Sequence, residues 1–326
     1  MRTPALLLLL ASCSTAEVGS APPAERMPRR VHVVEDFETD IEKRWWLAGT
    51  LETAEVPPGS RRACRGTPSK DFDDKMGDPK ARYTAVIFNP VPGPPMGKET
   101  RLRFRYRLRG TDRMRVQIFS LTNNYHRRLE LSGLPQGSWQ WGSVDMTQLR
   151  RPDGTGGPLS QDERIDDIQF YVDLSAELII DDIVLYDAAA PGETEPFPSR
   201  MIFTGGFDTG KQGKEWPGEF EIVSHDKPLT WKAAKSIDGK LLVSLRGVRP
   251  VHDREVRVRF RCRLTGAEEF RVAVGSRPEG TVVKADADWK EIRLTVPTGA
   301  KETDALLFAV KAPGVLWIDD LLVYEP

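Results

Sequence analysis

The chain has 326 residues, room for about two domains by length. Its 47 lysines and arginines nearly cancel its 48 aspartates and glutamates, so no global field points to nucleic acid or to an anionic membrane surface. A hydrophobic share of 39 % and a charged share of 29 % fit a soluble globular chain.

The first twenty residues read "MRTPALLLLLASCSTAEVGS". Arg2 is a minimal positive region, and Ala5 to Ala11 is an apolar run too short to stay in a bilayer as a helix. Leu10-Ala11-Ser12-Cys13 resembles the lipobox of bacterial lipoproteins. That resemblance implies a signal peptide over 1–12 and lipid on Cys13. It also implies a protein exported and anchored to a bacterial membrane, at the cell surface or in the periplasm. An ordinary cleaved signal is the alternative, and it too exports the chain. Residues 13–30 then form the lipidated cysteine and a small, polar, Pro-containing tether. Cys64 and Cys262 are the other cysteines, and they fall in different expected units. No disulfide framework or CxxC metal pair is expected.

Two units follow, over 31–187 and 200–326, with the Pro-rich segment 188–199 between them as a linker. They repeat one another. "FETD" at Phe37 matches "FDTG" at Phe207, and Trp46 matches Trp216. "RLRFRYRLRG" from Arg101 matches "RVRFRCRLTG" from Arg257, with Phe104 against Phe260. "LIIDDIVLYD" matches "LWIDDLLVYE", with Asp181 against Asp319 and Tyr186 against Tyr324. The offset shrinks from 170 to 156 to 138, as expected of a duplication that has lost loop residues. Period-2 alternation over Arg101–Arg109, Met114–Phe119, Arg257–Leu264 and Phe270–Val274 makes both units all-β. Units of this size and pattern suggest two-sheet sandwiches or jelly rolls. Phe104, Tyr106 and Leu108 would face the core, as would Phe260, Cys262 and Leu264.

The opening Phe-acid-Thr strand and the closing Ile-Asp-Asp strand resemble the galactose-binding-like jelly roll of bacterial carbohydrate-binding modules. The resemblance covers nearly all of both units and implies glycan binding. It also implies a structural Ca2+ near the first and last strands, with Glu38, Asp181, Asp182, Asp208, Asp319 and Asp320 as ligands. Calcium wants six to eight oxygens, which carboxylates and carbonyls supply. Arginines or backbone amides are the other means of satisfying these acids.

Signals for catalysis are poor. There is no HExxH and no GxSxG elbow, and the four histidines are scattered. The expected function is therefore non-catalytic polysaccharide binding. A structural or adhesion module with a protein partner is the alternative, and a polysaccharide-degrading enzyme a third. Alternation places Arg103, Arg105 and Arg107 on one outer face. Arg115, Gln117, Gln169 and Tyr171 would join them there if their strands are neighbours. Trp45, Tyr125 and Trp141 are the loop aromatics expected to stack on sugars. Trp46, Trp216, Trp139 and Trp289 recur in both copies and are expected in the cores. The arginine ladder, repeated at Arg257, Arg259, Arg261 and Arg263, has two readings. It is a basic face for an anionic glycan, or a row paired with acids on neighbouring strands.

Overall fold

Alternating apolar residues become strands wherever the chain is described, and the strands build two antiparallel β-sandwiches of the jelly-roll kind. The computed structural model describes residues 16–17, 25–38, 46–70, 82–90, 95–158, 160, 162–208, 216–224, 232–245, 255–275, 280–297 and 305–326. Cys13, Trp45 and the expected signal peptide lie outside the described residues, as does the side chain of Trp46.

The first unit holds β1 (Ala16–Glu17), β2 (Arg30–Glu35), β3 (Trp46–Ala48), β4 (Thr50–Glu52), β5 (Ala63–Arg65), β6 (Thr67–Lys70) and β7 (Arg82–Phe88). It continues with β8 (Pro95–Met96), β9 (Thr100–Arg109), β10 (Met114–Ser120), β11 (Tyr125–Ser132), β12 (Gln140–Asp145), β13 (Glu163–Asp173) and β14 (Glu177–Asp187). The second unit holds β15 (Arg200–Gly205), β16 (Gly218–Glu219), β17 (Glu221–Ser224), β18 (Lys232–Lys235), β19 (Lys240–Ser244) and β20 (Glu255–Thr265). It ends with β21 (Glu269–Val274), β22 (Thr281–Lys284), β23 (Lys290–Pro297), β24 (Ala305–Val310) and β25 (Val315–Glu325).

Each arginine ladder lies in the middle of a sheet. In the first unit β12, β9, β14, β5 and β4 pair in that order, with β2 beside β14; we call this the ladder sheet. The opposite sheet runs β1, β11, β10, β13, β7, β3, with β6 on β7 and β8 on β13. In the second unit the ladder sheet is β17, β18, β25, β20, β23 with β15 on β25, and its opposite sheet is β16, β19, β24, β21, β22.

The inward half of each ladder strand is core, as the alternation requires. Phe104 is fully buried and meets Phe170 of the opposite sheet edge-on at 4.8 Å. Phe260 and Phe308, the same two positions of the second copy, repeat the contact at 5.2 Å. Gly142 sits opposite Phe104 on β12, where a Cβ would come within 2.6 Å of the ring. Cys64 and Cys262 are both buried free thiols, and burial pushes Cys262 up to about 12. Trp216 is in the second core, but Trp139 and Trp289 are only half-buried and belong to neither core, contrary to expectation.

The Asp-Asp pairs have a backbone explanation. The β14–β9 register shifts between Asp181 and Val184, and the β25–β20 register shifts at the matching place. Asp182 and Asp320 take left-handed φ values of 46° and 48°, which aspartate tolerates better than most residues. The preceding carboxylate steadies each bulge. Asp181 accepts the Asp182 N–H at 2.8 Å, and Asp319 accepts the Asp320 N–H at 2.7 Å.

The segments expected to be tether and linker form backbone pairs where described. Ala16–Glu17 forms a short parallel strand on β11. Residues 25–27 pair with 195–197: the Met27 N–H donates to the Glu195 carbonyl at 2.8 Å, and the Phe197 N–H donates to the Glu25 carbonyl at 3.0 Å. These are equivalent positions of the two copies, because "ERMPRR" from Glu25 and "EPFPSR" from Glu195 carry the same Glu, Pro and Arg spacing. Reciprocity extends to side chains. Glu25 accepts from the Tyr186 hydroxyl at 2.6 Å, and Glu195 accepts from the Tyr324 hydroxyl at 2.9 Å. Beneath them Met27, Val31, Val184, Tyr186, Met201, Leu322 and Tyr324 form a third apolar cluster drawn from both units. The two ladder sheets thus meet along one seam.

Candidate functional site

The expected face is divided between two sheets. Arg103, Arg105 and Arg107 lie on β9 in the ladder sheet. Arg115 and Gln117 lie on β10, and Gln169 and Tyr171 on β13, in the opposite sheet. Alternation assigns side chains to a face but not to a sheet, so these seven residues do not form one groove.

On β9 every arginine has an acid. Arg101 meets Asp145 at 3.0 Å, Arg103 meets Glu25 at 2.5 Å, and Arg105 meets Asp182 at 3.2 Å. Arg107 and Arg109 share Glu55 at 2.8 and 3.2 Å, and Arg109 also reaches Glu177 at 3.1 Å. The first unit's ladder is therefore an acid-paired row, not an open basic face. Trp141 does join it, its ring 4.0 Å from Arg103 and 4.6 Å from Arg105. Both are cation–π contacts within the protein, on a ring that stays 38 % exposed. Tyr125 is similarly engaged: it accepts from Arg127 at 2.7 Å, and its ring carries Arg151 at 3.9 Å.

The expected calcium ligands hold arginines or their own backbone. Glu38 accepts from the Arg61 N–H at 2.8 Å and from Arg61 Nε at 3.0 Å. Asp182 is taken by Arg105. Asp208 and Asp320 both hold Arg30 of the first unit, the latter at 2.6 Å. Asp181 and Asp319 are the buried acids of the two bulges. Among the described residues no three Asp, Glu, His or Cys side chains gather as metal ligands.

The opposite sheet of the first unit brings four expected residues together. Register pairs Arg115 with Tyr171 and Gln117 with Gln169 across β10 and β13. Their neighbours Val116, Ile118, Phe170 and Val172 fill the core, so these four point to the outer face. Gln169 is the hub. Its Oε1 accepts from Gln117 Nε2 and from the Tyr171 hydroxyl, each at 3.0 Å, and its Nε2 donates to Asp167 at 3.2 Å. With its amide nitrogen turned towards them, Asn89 donates to Asp167 at 3.2 Å and to the Asp166 carboxylate at 2.7 Å. Arg115 donates to Glu130 at 2.6 Å and rests over the Tyr83 ring at 5.1 Å.

Two corrections follow. Tyr171 is 1 % exposed and its hydroxyl is spent on Gln169, so it is a floor residue and not a stacking platform. The more open ring is Tyr83, which meets Tyr171 edge-on at 5.7 Å. Sequence reading passed over Tyr83, Asn89 and Glu130. Only the alternation of "RYTAVIF" in β7, with Tyr83, Ala85 and Ile87 on one face, pointed to the first of them.

Burial, and after it the charge of Asp166, pushes the Asp167 carboxyl up to about 6. An aspartate raised from its unfolded value near 3.9 contributes stability that is present below about pH 4 and lost as pH rises through about 6. Asp167→Asn stays neutral throughout. It should raise the melting temperature at pH 7, by about 1 kcal/mol of stability, and change little at pH 4. Thermal melts at both values check this; an equal shift at both would remove the assignment.

The second unit does not keep the row. At the positions of Gln117, Asp167, Gln169 and Tyr171 it has Ala273, Ala305, Leu307 and Ala309, and only Arg271 still matches Arg115. The same sandwich therefore forms without the polar row.

No protein-family model matches the chain, and no curated protein matches it. Solved structures do. The tandem family 22 carbohydrate-binding modules of Paenibacillus barcinonensis are 14 % identical with a TM-score of 0.30, and the match covers 93 % of this chain and 99 % of that one. A family 11 carbohydrate-binding module of a Clostridium thermocellum cellulosomal cellulase is 17 % identical with a TM-score of 0.35, covering 50 % of this chain and 98 % of that one. A family 11 module of the same organism, in complex with a β-1,3-1,4-mixed-linked tetrasaccharide, is 20 % identical with a TM-score of 0.34, covering 49 % and 96 %. At these TM-scores no residue carries over from one chain to another.

Proposed function

We propose that the chain binds a polysaccharide without cleaving it, on the outer face of the first unit's opposite sheet. One observation carries the reading. A buried, mutually hydrogen-bonded row of Gln117, Gln169, Tyr171 and Asp167 sits outside the core of one copy and is replaced by alanine and leucine in the other. Buried polar groups cost stability unless they are satisfied, so a fold that does without them in its twin keeps them for another purpose. The buried amides would fix the direction of Asp167 at the face, whose carboxylate suits sugar hydroxyls, and Tyr83 beside Arg115 gives a half-buried ring at the edge. Lipidation at Cys13 would hold this face at a membrane surface and keep it near the glycan.

The test is a glycan array with the two-unit chain, followed by titration of any ligand found. Binding that is lost when the first unit's row is altered, and kept when the second unit's face is altered, supports the reading. A chain that binds no glycan refutes it. Capture of a protein partner that survives an excess of glycan would favour the adhesion alternative instead.

A further inference from the structure

The seam between the units is not fully symmetric. In the first unit Glu25 takes the hydroxyl of Tyr186 and the guanidinium of Arg103. Its counterpart Glu195 takes Tyr324, but its arginines are Arg257 and Arg293, each at 2.9 Å. Arg259, the counterpart of Arg103, is thereby left over. It is 3 % exposed and donates to the Pro28 carbonyl at 2.5 Å. No carboxylate among the described residues lies within the 4.0 Å of an ion pair. A guanidinium so deeply buried with a single carbonyl acceptor is costly, because arginine stays charged.

Arg259 lines a cleft of about 350 Å3 between the units, at the small end of the range for ligand sites. Arg29, Arg30 and His32 come to it from the first unit, and Arg261 from the second. Four acids also line it. Asp187 accepts from Thr100 at 2.9 Å, and His32 Nε2 lies 3.1 Å from it. The neighbouring His32 imidazole and the Thr100 hydroxyl overcome its burial and hold it down at about 2. Asp320 holds Arg30, and Glu291 accepts from Arg293 at 2.8 Å. Asp162 is the fourth. A multiply charged phosphate or sulfate would meet repulsion from these carboxylates. A single carboxylate on a polyhydroxylated body meets less of it: its two oxygens match the guanidinium fork, and its hydroxyls can donate to the wall acids.

We propose that this cleft binds the carboxylate of an acidic sugar, with the Arg259 guanidinium as its anchor. The proposal rests on the glycan-binding reading and narrows its ligand class to glycans that carry uronate residues. It places that recognition in the seam, apart from the row around Gln169.

The test is calorimetric titration of the two-unit chain with hexagalacturonate and with its methyl ester, which removes the charge and the symmetric carboxylate, each at low and moderate salt. The acid should bind at least about tenfold more tightly than the ester, and the gap should narrow with salt. Arg259→Gln should erase the gap, and Arg259→Lys, which keeps the charge but loses the fork, should restore part of it. Equal binding of acid and ester by the wild-type chain would overturn the proposal without any variant. So would an unchanged gap in Arg259→Gln. Uncharged glycans that bind while the acid gains nothing would overturn this proposal alone; failure of every glycan would overturn the reading beneath it too.

Discussion

Replacing Gln169 by leucine, the residue at the matching position of the second unit, is expected to weaken glycan binding roughly thirtyfold and to cost about 2 kcal/mol of stability. Both effects have one source. Gln169 accepts from Gln117 and Tyr171 and donates to Asp167, so leucine leaves three buried polar groups short of a partner. Removing one partner of a buried hydrogen bond costs more than removing both. The combined variant Gln117→Ala, Gln169→Leu, Tyr171→Phe should therefore be more stable than Gln169→Leu alone, yet bind no better. Urea unfolding and titration with the array-identified glycan separate the outcomes. A triple variant that binds like wild type would end the assignment of this face. A triple variant less stable than the single by the sum of its parts would show that the row is not a coupled unit.

The second large effect lies at the seam. Glu195→Ala is expected to lower stability by about 3 kcal/mol and to separate unfolding into two transitions. Its carboxylate is mostly shielded and serves Tyr324, Arg257 and Arg293 at once. The tyrosine matters most, since burial and the bond to Glu195 raise it to about 12 and its hydroxyl would lose its acceptor. Arg257 is 42 % exposed and Arg293 keeps Glu193 and Glu291, so each loses less. Glu25→Ala should act the same way through Tyr186 and Arg103. Denaturant curves read by two probes check this; a change below about 0.5 kcal/mol with one transition would mean that the seam adds nothing.

Much of this could be read from the sequence, for identifiable reasons. Phe104, Tyr106 and Leu108 alternate with arginines, and period 2 fixes which side chains meet the core. The same period is silent on which sheet a strand joins, and so Arg103 was grouped with Arg115 although they lie on opposite layers. It also fails at a bulge. On a regular strand Asp181 and Asp182 would point one inward and one outward, while the register shift makes one a backbone clamp and the other a left-handed turn residue. Prolines at 191, 196 and 198 suggested a loose linker. Proline forbids a regular ladder but not the isolated bridge between Arg26 and Pro196, and the repeated Glu-x-x-Pro spacing carried the real signal. The Gln169 row was visible as single residues; its hub needed the pairing of β10 with β13.

The reciprocal pairing of residues 25–27 with 195–197 has one more consequence. A contact in which each copy presents the same patch to the other is an isologous one, the kind that closes a two-fold dimer. Here both partners belong to one polypeptide, so their association follows the effective concentration set by the connecting chain and not the amount of protein in solution. A dimer of separate units would dissociate on dilution. The fused pair will not, and the cleft around Arg259, which needs walls from both copies, stays assembled however dilute the protein becomes.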